Sequence, residues 1–132
     1  MTDAADILYQ GSWLTVRAIT LPGGEQPASD WHMSLDKRGR GQFLAACRAL
    51  ETALSAGRPP AGRAEKVKGS SEGVWELRVT KKGSTPPHLR AFFVREQRTL
   101  WVASGITKQK NKLQGGDIAR ADSIVAEWRR TR

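Results

Sequence analysis

Apolar and polar positions along the chain fall into two periods, one of two residues and one of about 3.6, separated by turn-rich segments. Residues 12–20, "SWLTVRAIT", alternate and are rich in β-branched side chains, which predicts a first strand. "LPGGEQPASD" follows as a loop, and residues 29–35 predict a short helix with Ser29 suited to its N-cap. The clearest helix is "QFLAACRALETALSAG", where Phe43, Cys47, Leu50 and Leu54 form one apolar stripe. Gly57 stands where a C′ glycine ends such a helix, and Pro59 and Pro60 prevent its continuation.

After a loop, "RPPAGRAEKVKGSSEG", three strand-like runs cover residues 74–81, 88–95 and 99–107. The linkers "KKGSTPP" and "EQR" between them predict an antiparallel meander. In "GVWELRV", alternation turns Trp75, Leu77 and Val79 to the core and leaves Glu76, Arg78 and Thr80 on the other face. A carboxylate and a guanidinium thus share the polar face of a central strand. A last helix is predicted over residues 117–129, with the stripe Ile118, Ala121, Val125 and Trp128 and with Asp117 at the positive end of its dipole. The order of elements predicts one α+β domain over residues 1–132: an antiparallel sheet made of an N-terminal strand plus a three-stranded meander, helices packed on one face, and a C-terminal helix. Residues 1–10 are expected to be a flexible N-terminal extension. There are no repeats and no low-complexity segment.

Composition narrows the function. No apolar run approaches the roughly 18 residues of a membrane span, and "MTDAADILYQG" has two aspartates and no basic stretch, unlike a secretory signal. Cys47 is the only cysteine, which excludes an internal disulfide and a Cys-rich zinc site and leaves it a core residue. The expected compartment is the cytoplasm. Net charge is +9, unevenly spread. Residues 1–57 hold five Lys/Arg against six Asp/Glu, and residues 58–132 hold seventeen against seven. Such asymmetry points to a polyanionic partner, nucleic acid first.

The chain lacks GxSxG, Walker A, HExxH and CxxC motifs, which removes the usual support for those enzyme classes. Of the two histidines, His32 reads as a packing or surface residue, and His88 opens a strand from which it could reach the open sheet face. Trp13, Trp75 and Trp128 fall at core-facing positions, while the pattern assigns Trp101 to neither core nor surface. What remains is a set of cations: Arg78 and Arg90 on neighbouring strands, Lys108, Lys110 and Lys112 in and beside "KQKNK", and Lys66, Lys68, Lys81 and Lys82 on flanking loops. Lysines and arginines neutralise phosphates, and the arginine fork grips a phosphoryl group with two bonds. Because RNA carries its own nucleophile, the 2′-OH, positioning and charge stabilisation go far toward its cleavage.

Four blocks then resemble the HigB group of the RelE/ParE toxin superfamily: Lys68-Gly69 with Trp75-Glu76-Leu77-Arg78, Arg90 in "LRAFFV", Gly105-Ile106-Thr107-Lys108, and Asp117-Ile118-Ala119-Arg120-Ala121. The resemblance covers about residues 64–128. It implies a RelE-like fold and the toxin of a type II toxin–antitoxin system, a ribosome-dependent mRNA endonuclease that needs no metal or cofactor. It also implies Arg78, Arg90 and Lys108 as catalytic residues, with Lys66, Lys68, Lys81, Lys82, Lys110 and Lys112 on RNA. The implied partners are mRNA on the ribosome and a helix-turn-helix antitoxin that neutralises the toxin. Glu76 stands where better-known relatives carry a lysine, and is expected to hold Arg78 or a neighbouring lysine by an ion pair. The tyrosine or histidine that relatives place near the final helix is absent here. Two alternatives stay open: a ParE-like inhibitor of DNA gyrase, and a non-catalytic phage nucleic-acid-binding protein.

Overall fold

The computed structural model describes residues 6–60, 63–79, 88–108 and 115–132. In chain order the elements are β1 (Ile7–Gln10), β2 (Thr15–Ala18), α1 (Pro27–Ser34), α2 (Lys37–Ser55), β3 (Ala64–Lys66), β4 (Trp75–Val79), β5 (His88–Glu96), β6 (Thr99–Lys108) and α3 (Gly115–Arg130). The class is α+β, as the element order predicts. Among the described residues, no helix is long and apolar enough to cross a membrane.

Helix boundaries follow local chemistry. Proline at the first helical position has its φ already set for a helix, so α1 begins at Pro27, with Gln26 as N-cap. Ser29 is therefore inside the helix rather than its cap, and its hydroxyl donates to Gln26 Oε1 at 3.0 Å. In α2 the Asp36 carboxylate accepts from Gly39 N at 2.7 Å, and the helix starts five residues upstream of its predicted start at Gln42 despite two glycines. Gly57 ends it as expected, at φ 71°.

The meander β4–β5–β6 forms as predicted, with antiparallel ladders on both sides of β5. The rest of the sheet differs. Its order is β1-β2-β6-β5-β4-β3, and β2 runs parallel to β6, so the six-stranded sheet is mixed rather than antiparallel. The predicted first strand is shortened: its front part, residues 12–14, lies in a turn closed by the Gly11 N–H to Leu14 O bond, and β1 comes from the segment expected to be flexible. β3 lies within the segment read as a loop and gains its ladder from β4.

Helices also cover both faces, not one. On the first face Trp31 of α1 and Phe43, Cys47 and Leu50 of α2 pack on Leu77, Val79, Ala91 and Phe93. Gly105 of β6 lies directly under the Trp31 ring, where a Cβ would collide with it. On the second face Ile124, Val125 and Trp128 of α3 pack on Phe92, Val94 and Ala103. The cause is in β5, where Leu89 to Val94 are all buried: a strand apolar on both sides needs two layers. α3 packs on the part of this second face that carries Phe92 and Val94, and Glu76, Arg78 and Arg90 stand on the same face, on β4 and β5.

Candidate nucleic-acid interface

Strand register creates an electrostatic conflict on the second face. Arg78 of β4 is directly opposite Arg90 of β5, and Glu76 of β4 is directly opposite Glu65 of β3. Like charges facing each other across a sheet destabilise it. The diagonals relieve both pairs at once. Arg78 Nε donates to Glu76 Oε1 at 2.9 Å, and Arg78 Nη2 donates to Glu65 Oε2 at 2.8 Å. Glu76 Oε2 lies 3.9 Å from Arg90 Nε, an ion pair without a hydrogen bond. Glu76 therefore holds the polar face of β4 together by sitting between two guanidiniums, and its ion pair with Arg78 is the one its place on the strand predicts.

Burial separates the two arginines. Arg90 is 4% exposed and Glu76 5%, whereas the Arg78 side chain is 37% exposed. Burial pulls the Arg90 pKa down from its ordinary value, Glu76 opposes that, and Arg78 adds to it. Arg90 Nη1 donates to its neighbour's carbonyl, Leu89 O, at 3.0 Å. Arg78 is thus the outer guanidinium, bonded through Nε and Nη2, with no bond from Nη1 among the described residues. Arg90 is the inner one, beside Glu76.

Arg63, which no sequence pattern singles out, extends the arrangement. Its carbonyl accepts from Arg78 N at 2.7 Å, so Arg63, Arg78 and Arg90 stand in one row across three adjacent segments, at strand spacings of about 4.8 Å. The only signal of this in the sequence is the density of arginines, because the register is a property of the ladder.

The other candidates divide. Lys108 ends β6 opposite His88, on the row next to Arg90 and Ile106; its side chain lies outside the described residues. His88 is half-buried, two residues before Arg90 on the same strand face, as expected of a residue that reaches this side. Lys66 is exposed but in register with Trp75, which places it on the row of the opposite face, and Lys68 is exposed in the following turn. The structure does not bring these two into the arginine row. Lys81, Lys82, Lys110 and Lys112 lie outside the described residues.

The residues read as structural are structural. His32 packs edge-on against Phe43 at 5.3 Å, and burial, then Arg40, pull its pKa down. Cys47 is buried, and burial pushes its thiol up. Trp101, unassigned by pattern, packs on Trp128 at 5.1 Å under the guanidiniums of Arg17 and Arg132. Among the described residues no group of three His, Cys, Asp or Glu could hold a metal ion.

A family model described as "Phage derived protein Gp49-like (DUF891)" matches residues 30–125, a span that runs from α1 into α3 and contains the whole arginine row. No curated protein matches the chain.

Proposed function

Because the chain belongs to the Gp49-like family of phage-derived proteins, part of the RelE-like group of type II toxins, we propose that it is the toxin of a toxin–antitoxin module and cleaves mRNA on the ribosome. The observation that carries this reading is the Arg78–Arg90 pair: two cations held side by side against their mutual repulsion, one buried and one open, suit a site for a phosphate gaining charge.

In the proposed reaction the RNA 2′-OH attacks the adjacent phosphorus, the bond from phosphorus to the 5′-oxygen breaks, and a 2′,3′-cyclic phosphate and a 5′-hydroxyl result. One proton leaves the 2′-oxygen and one reaches the departing 5′-oxygen. Arg78 binds the non-bridging oxygens and Lys108 adds charge beside them. Arg90 and Glu76 set the position and field of Arg78. A helix-turn-helix antitoxin neutralises the toxin by covering this basic face.

Primer extension on a reporter mRNA in a cell-free translation reaction tests the reading. Arg78→Ala is the informative variant, since Arg90 is buried and its truncation would disturb the fold. New 5′ ends that need ribosomes should appear with the native protein and fall by about 10²-fold or more in Arg78→Ala, the usual effect of removing a preorganised oxyanion donor. Intact mRNA together with inhibited supercoiling by gyrase would move the protein to the ParE-like reading. Intact mRNA with active gyrase would leave a non-catalytic nucleic-acid-binding protein.

A further inference from the structure

Between β4 and α2, toward the β3 edge of the sheet, runs a partly open groove of about 540 Å³, within the roughly 300–1,000 Å³ typical of ligand sites. Three arginines line it: Arg38 from the first turn of α2, Arg63 and Arg78. The helix side is short, because Gly41, Ala45 and Ala49 recur every four residues on one side of α2, and a Cβ at Gly41 would still meet nothing. The floor is Ala46 and Val79. Among the described residues no carboxylate lines the groove, and Gln42 is the one uncharged polar side chain there.

Arg38 and Arg63 are exposed, and neither side chain makes a hydrogen bond or ion pair among the described residues. Arg17, Arg40, Arg78, Arg90, Arg129 and Arg132, by contrast, are all tied to carbonyls or carboxylates. The groove is also continuous with the candidate site. Arg78, the outer guanidinium of the site, is itself one of the lining residues, and Arg63, bonded to it through the backbone, is another.

We propose that this groove carries the RNA strand away from the cleavage site, with Arg38 and Arg63 binding the phosphates that flank the scissile one. The inference rests on the RNA-cleaving reading above. Forked guanidiniums match phosphate oxygens with two bonds each, and the apolar floor leaves the backbone as the part of the strand that they read. Binding along the groove is therefore indifferent to base sequence and sensitive to salt.

The test is the salt dependence of binding, by fluorescence anisotropy, of an uncleavable 2′-O-methyl RNA of about 12 nucleotides, within the usual single-strand site sizes. In Arg38→Ala/Arg63→Ala the slope of log K against log salt should be shallower by about 1.4, roughly 0.7 for each phosphate that the protein no longer neutralises. With the two lines meeting near 1 M salt, that is about 25-fold weaker binding at 0.1 M. Arg38→Lys/Arg63→Lys should keep the slope, since the charges remain. Unchanged slope and affinity in the alanine pair, while Arg78→Ala weakens binding, would overturn the groove and leave the cleavage reading standing. Equal affinity for polyglutamate of the same charge, lost in the alanine pair, would overturn the RNA assignment and make the groove a seat for an acidic protein segment. Groove-dependent RNA binding by a protein that cleaves no mRNA would uphold the groove and sink the cleavage reading instead.

Discussion

The two oxygens of the Glu76 carboxylate have different tasks: Oε1 takes a hydrogen bond from the half-exposed Arg78, and Oε2 balances the charge of the buried Arg90. Removing a carboxylate from beside a buried cation is expensive, because the remaining charge loses part of its compensation in a poorly solvated place. Glu76→Gln should therefore lower unfolding stability by about 2–3 kcal/mol in urea titrations. Glu65 pairs with the same arginine from the exposed edge strand, and Glu65→Gln should change stability by less than about 1 kcal/mol. Equal losses from the two variants would mean that Glu76 is not the anchor. That Glu76 and Arg78 share a face was legible from alternation alone. That Glu76 reaches a second arginine was not, because Arg90 arrives through the β4–β5 ladder.

Between elements, Glu51 does comparable work. It accepts from Tyr9 Oη at 2.5 Å, from Trp13 N at 2.8 Å and from Leu14 N at 2.6 Å, tying β1 and the turn after it to α2. Gly11 is required beside it, since a Cβ there would run into the carboxylate. The Tyr9 bond holds the Glu51 pKa below its ordinary 4.5, burial works against this, and the two backbone N–H groups reinforce it. Tyr9 itself is pushed up to about 12, by burial first and then by Glu51. A carboxyl group with a depressed pKa when folded contributes stability that is complete above its unfolded pKa and is lost as pH falls through the folded one. Unfolding free energies of the native protein should drop between about pH 5 and pH 3, and Glu51→Gln should start lower at neutral pH and drop less across that window. Parallel curves for the two proteins would show that Glu51 has no such role. Glu96 and Asp122 are also depressed, so the difference between the two curves is what isolates Glu51.

For the molecule as a whole, α3 is what makes a second layer. Trp128 is buried against Trp101, with the Arg132 guanidinium 4.3 Å from its ring centroid and tied to Glu96 Oε2 at 2.6 Å. Trp128→Ala should remove about 3–5 kcal/mol of stability, as expected for emptying a large aromatic site, and thermal unfolding followed by circular dichroism would measure it. A loss under about 1 kcal/mol would mean that α3 is dispensable to the core.

By itself the sequence determined the local periods: the strands of the meander, the long helix and its glycine stop, the amphipathic last helix, and the polar side of β4 on which Glu76 and Arg78 sit. These depend on neighbours a few residues away, so one stretch of chain contains the information. Tertiary structure decided the rest. The short strands β1 and β3 exist because a longer strand offers each a ladder, and the parallel contact of β2 with β6 joins segments far apart in the chain. An apolar stripe on α3 fits either face of a sheet, and only the double-sided burial of β5 selects the second. The alignment of Arg63, Arg78 and Arg90 belongs to the same class, because register is set by hydrogen bonds between strands and not by any residue's own preference.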